Sequence, residues 1–103
     1  MAATPLTDDE LRDALGALED WTLEDGRALR RVFSAEDFPA AIHLVNVVAI
    51  LAEQHNHHPD IDIRYRTVTF TLTSHDAGGA VTRKDVDLAT QINSAIATRP
   101  SAR

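Results

Sequence analysis

The sequence predicts an α+β fold: a two-layer sandwich whose four-stranded antiparallel sheet carries helices on one face. Its order is helix, strand, strand, helix, strand, strand, helix (α-β-β-α-β-β-α). Three observations predict it. Residues 67–73 alternate without a break. Val68, Phe70 and Leu72 point one way and Thr67, Thr69, Thr71 and Thr73 the other, as in a strand with one covered face. Two capping signatures, Thr7 with Glu10 and Thr82 with Asp85, each open an apolar stripe of helical period. A third helical pattern lies between two pairs of strand-like segments.

The first helix is expected over about residues 8–18. Thr7 caps it, Glu10 reaches back to the cap, and Leu6 with Leu11 form a hydrophobic staple ahead of the stripe Leu11, Ala14, Leu15 and Leu18. Trp21–Glu24, the turn Asp25-Gly26 and Arg27–Phe33 read as a hairpin, because Asp-Gly accepts the positive φ angles of a tight two-residue turn. In its second strand Ala28 and Val32 face away from Leu29, Arg31 and Phe33. Ser34 or Asp37 caps the central helix. Pro39, which has no amide proton and fits only a first turn, favours Asp37. The face of this helix is Ala41, Val45, Val48, Ala49 and Ala52, with Phe38 and Ile42 beside it, and Pro59 ends the helix near residues 54–57. A strand over Asp60–Arg66 places Ile61, Ile63 and Tyr65 on one side. His75–Gly79 is a loop, and the last helix carries Leu88, Ala89, Ile92 and Ile96.

At 103 residues the chain is expected to be one domain, with its core within about 6–97 and a tail at 98–103 that frays. The net charge of −6, with only Arg30-Arg31 and Arg83-Lys84 as paired cations, argues against a nucleic-acid partner. No cysteine is present, so disulfide and thiolate chemistry are excluded. No apolar run approaches the roughly 18 residues of a membrane span, and no signal core is visible. The expectation is a soluble cytoplasmic protein without membrane contact.

The chemistry concentrates between Glu53 and Asp76. Three of the five histidines, His55, His57 and His58, stand at the expected helix end, and His75 follows where the second strand of an out-and-back path must finish. Imidazole titrates near pH ~6.5, so histidines on both sides of a substrate can remove one proton and deliver another. Elimination of water needs those two acts. A metal site is the competing reading: His55 and His58 are three apart, His57 is adjacent, and Asp60 or Asp76 completes a tetrahedral shell. Solvated histidines at a polar helix end are the third reading, and His43, mid-helix among apolar residues, fits it best.

Glu53, His57-His58-Pro59, Asp60, Tyr65, Val68, Leu72, Ser74-His75-Asp76, Gly78-Gly79, Asp85 and Leu88-Ala89 together resemble the pterin-4a-carbinolamine dehydratase family. The similarity extends upstream to Trp21, Arg30 or Arg31, Phe33, Phe38, Ala41, Val48 and Ala52-Glu53, covering about residues 6–97. Glu-x3-His-His-Pro with a histidine seventeen positions after the second is its most specific part. The resemblance implies an α+β sandwich that dehydrates 4a-hydroxytetrahydropterin to quinonoid dihydropterin, with no metal or organic cofactor. It implies His57, His58 and His75 as catalytic residues. Glu53, Pro59, Asp60, Ser74, Asp76 and Asp85 are expected to be substrate-binding. Asp85 either orients a histidine or caps the last helix, and Glu53 either bonds within the site or finishes an exposed face. The implied partners are a small pterin substrate and further copies of the chain, as homodimer or homotetramer through edge strands or helix faces. The resemblance also implies an alternative role as a non-catalytic interaction module: family members act as a dimerisation cofactor for a transcription factor, and divergent relatives, which tend to lose the histidine pattern, assist assembly of a carboxylating enzyme. Two departures stand out: Ile61 replaces an aromatic residue of some members, and residues 75–85 carry one extra position near Ala80-Val81.

Overall fold

β4 (Thr67–Leu72) decides which face of the sheet is covered, because Val68, Phe70 and Leu72 are wholly buried while Thr67, Thr69 and Thr71 stay half-exposed. The computed structural model describes residues 4–99. Its order is α1 (Asp8–Ala17), β1 (Thr22–Glu24), β2 (Ala28–Ser34), α2 (Phe38–His55), β3 (Asp60–Arg64), β4, a short 3-10 turn (His75–Ala77) and α3 (Arg83–Ala97). The strands form one antiparallel sheet in the order β1-β2-β4-β3, so the α+β sandwich is as expected.

Leu29 of β2 is buried on the same face, with Arg31 beside it, while Val32 is exposed. That face meets Ala41, Leu44 and Val48 of α2 and Val86, Leu88, Ala89, Ile92 and Ile96 of α3. Trp21 donates to Asn93 Oδ1 at 2.7 Å and Arg31 donates to the same oxygen at 2.5 Å, tying the first hairpin to α3. α1 buries no residue fully; Leu11, Ala14 and Leu15 pack on the core edge. Its capping box is formed, and the Thr7 amide, donating to Glu10 at 2.8 Å, holds that carboxyl below the ordinary glutamate range.

Three local expectations need correction. The first hairpin pairs Glu24 with Ala28, so three residues, not two, lie between its strands. Asp25 (φ 52) and Gly26 (φ 70) do take the positive angles, and Arg27, the extra residue outside the strand register, closes the turn by donating its N–H to Glu24 at 3.0 Å. β3 stops at Arg64, and Tyr65 (φ 58, 74% exposed) is in the reversal rather than beside Ile61 and Ile63. On α2 the buried stripe includes Leu44, which the expected face omitted, with Ala49 exposed. Ala49 is rotated about 100° from Val48, too far to share a line that already runs through residues 41, 44, 48 and 52.

The end of α2 positions the residues of interest. Asp37 caps the start, accepting from Ala40 N–H at 2.9 Å, with Pro39 in the first turn. At the other end Asn56 turns left-handed (φ 50, ψ 43). Its amide bonds to Glu53 and that of His57 bonds to Ala52 at 3.0 Å, a double closure of the last carbonyls. The stop at His55 falls within the expected range 54–57, with Pro59 just beyond the turn. Of the tail, Thr98 caps α3 and Arg99 pairs with Glu36 at 3.3 Å over the Phe33 ring; residues 100–103 lie outside the described residues.

Replacing Asn56 tests this turn. Asn56→Ala is expected to cost about 1 kcal/mol, because a Cβ without a polar end disfavours the left-handed region, whereas Asn56→Gly stays within a few tenths. Urea unfolding of the three proteins measures the difference.

Candidate active site

Once Asn56 reverses the chain, His57 is directed inward: its side chain is 11% exposed, and Nε2 lies 2.5 Å from Asp85 Oδ1. Asp85 occupies the third position of α3 and is fully buried. Its second oxygen accepts from the Thr82 amide at 2.8 Å and from the Ser74 hydroxyl at 2.8 Å. The two roles expected as alternatives for this carboxylate are therefore filled together, one oxygen completing the helix cap and the other meeting the histidine. A buried carboxylate is tolerable here because the Ser74 hydroxyl and the Thr82 amide donate to one oxygen and His57 Nε2 stands at hydrogen-bond distance from the other.

His58 faces outward. Its Nε2 lies 2.6 Å from Glu53 Oε2, and both side chains are largely exposed. Glu53 thus does more than finish a helix face. Pro59 is half-buried, and Asp60, exposed, opens β3 opposite Thr71.

His75 is exposed at the start of the 3-10 turn. The residue before it is firmly held: Ser74 N–H donates to Ala80, Ser74 C=O accepts from Ala77 and Gly79, and its side chain is buried. Gly78 (φ 74) and Gly79 (φ 78) supply the left-handed backbone that lets the loop return to Ala80. Asp76 pairs with Lys84 of α3 at 3.3 Å. The segments carrying His57 and His75 therefore adjoin at the first turn of α3, through Asp85 and Ser74. His55 is the exposed last residue of α2, and His43, also exposed, lines a separate cavity of about 410 Å³ with Leu44, Val47 and Arg99. Sequence reasoning did not place Thr82 or Lys84 near the site. The cap spacing from Thr82 to Asp85 was the available signal for the first. Among the described residues, no group of three or more His, Asp or Glu side chains is arranged to hold a metal ion.

One buried and one exposed histidine–carboxylate pair, on adjacent residues of an α+β sandwich, define a site suited to moving protons. A sequence model of the family described as Pterin 4 alpha carbinolamine dehydratase matches residues 4–95. A relative from Roseiflexus sp. (strain RS-1) is 55% identical over 91 residues, covering 88% of this chain and 96% of its own. Another from Nocardia farcinica is 54% identical over 93 residues, covering 90% and 96%. Both are named, provisionally, pterin-4-alpha-carbinolamine dehydratase. A crystal structure of a transcriptional coactivator/pterin dehydratase from Brucella melitensis has a TM-score of 0.83 at 36% identity, covering 88% of this chain and 97% of its own. A pterin dehydratase-like RuBisCO assembly factor of the alpha-carboxysome shares the fold, with a TM-score of 0.62 at 18% identity over 74% and 88% of the two chains. The chain belongs to the pterin-4a-carbinolamine dehydratase family.

The two carboxylates are expected to differ sharply in stability. Glu53→Gln changes unfolding free energy by less than about 1 kcal/mol, because an exposed pair gains little over water. Asp85→Ala costs about 3 kcal/mol or more, since it strips a helix cap and leaves the buried Ser74 hydroxyl and Thr82 amide without their acceptor. Chemical denaturation of both variants checks the contrast.

Proposed function

We propose that this chain dehydrates 4a-hydroxytetrahydropterin to quinonoid dihydropterin and water, recycling the pterin used by aromatic amino-acid hydroxylases. Family membership supports the substrate class, and the observation that carries the mechanism is the buried Asp85 carboxylate held against His57. The reaction removes the N5 proton, forms the N5=C4a double bond and breaks the C4a–O bond. The departing hydroxide takes a proton and leaves as water, so the site ends with no net gain of protons. His57 and His75 are the acid–base pair: one neutral imidazole accepts the N5 proton while the other, protonated, donates to the hydroxyl. Approach from two sides serves both epimers of the 4a-hydroxyl. His58, steadied by Glu53, holds the substrate with the neighbouring Pro59 and Asp60, and with Asp76 of the 3-10 turn. The chemistry needs no metal or organic cofactor. The protein acts in the cytoplasm as a homodimer or homotetramer; no helix among the described residues is long and apolar enough to cross a membrane.

A second reading, a non-catalytic interaction module on the same fold, draws on exposed apolar side chains, notably Ile50 of α2 at 61% exposure. The two readings diverge in one assay, with 4a-hydroxytetrahydropterin generated in situ by a pterin-dependent hydroxylase and a chelator control. The dehydratase should exceed the spontaneous rate with chelator present, and His57→Ala and His75→Ala should each lower turnover about 100-fold on at least one epimer. A folded wild-type protein that adds nothing to the spontaneous rate would sink the proposal. So would two histidine variants with unchanged turnover on both epimers.

A further inference from the structure

Ser74 has the chemistry of a substrate ligand but not the position of one. It is wholly buried, and its hydroxyl lies between two residues of the α3 cap, 2.8 Å from Asp85 Oδ2 and 2.7 Å from Thr82 Oγ1. The direction of these bonds follows from counting protons. An ionised carboxylate only accepts, so the single Ser74 proton goes to Asp85. Thr82 must then donate to Ser74, while its own oxygen accepts from the Lys84 amide at 3.2 Å. On the far side of the carboxylate the same rule assigns a proton to His57 Nε2. The chain runs Thr82 O–H to Ser74 O–H to Asp85, with His57 Nε2–H donating to Asp85 from the opposite end. A neutral His57 in this arrangement keeps its lone pair on Nδ1, the atom left free to exchange a proton with a substrate.

We infer that Ser74 is a positioning residue for the dehydration, acting through Asp85 to fix the tautomer and orientation of His57. The inference rests on the dehydratase reading above but makes a separate claim. Without the Ser74 donor, Oδ2 keeps only the Thr82 amide, and the carboxylate can turn so that His57 Nε2 loses its fixed acceptor. Ser74 also immediately precedes His75, and its backbone anchors the loop on Ala77, Gly79 and Ala80. One buried hydroxyl thus connects the segment of one proposed acid–base histidine to the carboxylate that orients the other.

The test combines imidazole ¹⁵N spectra with turnover in Ser74→Ala and Ser74→Cys, the latter keeping a side chain of similar size with only a weak donor. His57 signals are assigned by comparison with His57→Gln. Thr82→Val serves as a control, because it weakens the same helix cap but leaves the Ser74 proton on Asp85. The wild-type neutral imidazole should be the Nε2–H tautomer, and both Ser74 variants should show a mixture. Their kcat should fall about tenfold, the worth of roughly one charge-assisted hydrogen bond, with KM within about twofold. Thr82→Val should lose stability yet keep the wild-type tautomer. An unchanged His57 tautomer in the Ser74 variants, or the same shift in Thr82→Val, overturns the inference whatever the rates do. A tautomer shift in the Ser74 variants, in a protein whose wild type has no turnover, supports the positioning and rejects the dehydratase reading alone.

Discussion

The structure turns on one buried charge. A carboxylate at zero exposure is costly unless polar groups saturate it, and Asp85 accepts from Ser74 and the Thr82 amide and meets His57 Nε2. These groups come from the end of α2, the loop after β4 and the start of α3. Satisfying the charge requires all three chain segments to arrive at once. The requirement fixes the relative placement of the segments that carry His57 and His75, which no pairwise apolar contact would do with the same directional precision.

The rest of the fold delivers those segments. β4 buries Val68, Phe70 and Leu72 under the helices and emerges at Ser74, while α2 lays Ala41, Leu44, Val48 and Ala52 on the same core and ends at Asn56. The left-handed Asn56 then changes the direction of the chain within one residue, so that adjacent histidines meet different carboxylates. His57 is drawn to the buried one and His58 to the exposed Glu53. In the proposed mechanism the difference in burial separates their roles. An imidazole whose partner is rigid and dry is pre-oriented for proton transfer, whereas one in an exposed pair remains adjustable and suits contact with a ligand.

Much of this was legible in the sequence because it depends on local rules. The Thr7–Glu10 and Thr82–Asp85 caps, the strand alternation at 67–72 and the Asp37 start with Pro39 in the first turn each follow from a few neighbouring residues, and each is present. Tyr65 was not legible, because the reversal from β3 to β4 uses a left-handed residue with none of the usual turn chemistry. The choice of Leu44 over Ala49 was hidden for another reason: in a helix apolar on most sides, composition does not fix the phase, and only the packed sheet does. The buried hydroxyl of Ser74 was the hardest to read. It sits one position after Thr73, whose hydroxyl donates to Arg27 C=O, and nothing in the local pattern distinguishes the inward neighbour. Only the three-dimensional return of α3 supplies its partners.

The architecture persists in a structural neighbour at 18% identity, so the sandwich alone does not dictate chemistry. The Thr82–Asp85 spacing does not either, since a capping box serves any helix, and the same device opens α1 with no histidine near it in the bonding pattern. What is particular to this site is that the acid of a capping box has been withdrawn from solvent and given a second acceptor task. Glu10 caps its helix from a fully exposed position, and one carboxylate oxygen suffices. Asp85 is one methylene shorter and wholly buried, and it divides its two oxygens between backbone and imidazole. The shorter side chain leaves the carboxylate little freedom to leave the helix start, so His57 must come to it. The length of one side chain thereby couples the beginning of α3 to the end of α2, and an ordinary helix cap becomes part of the proposed acid–base site.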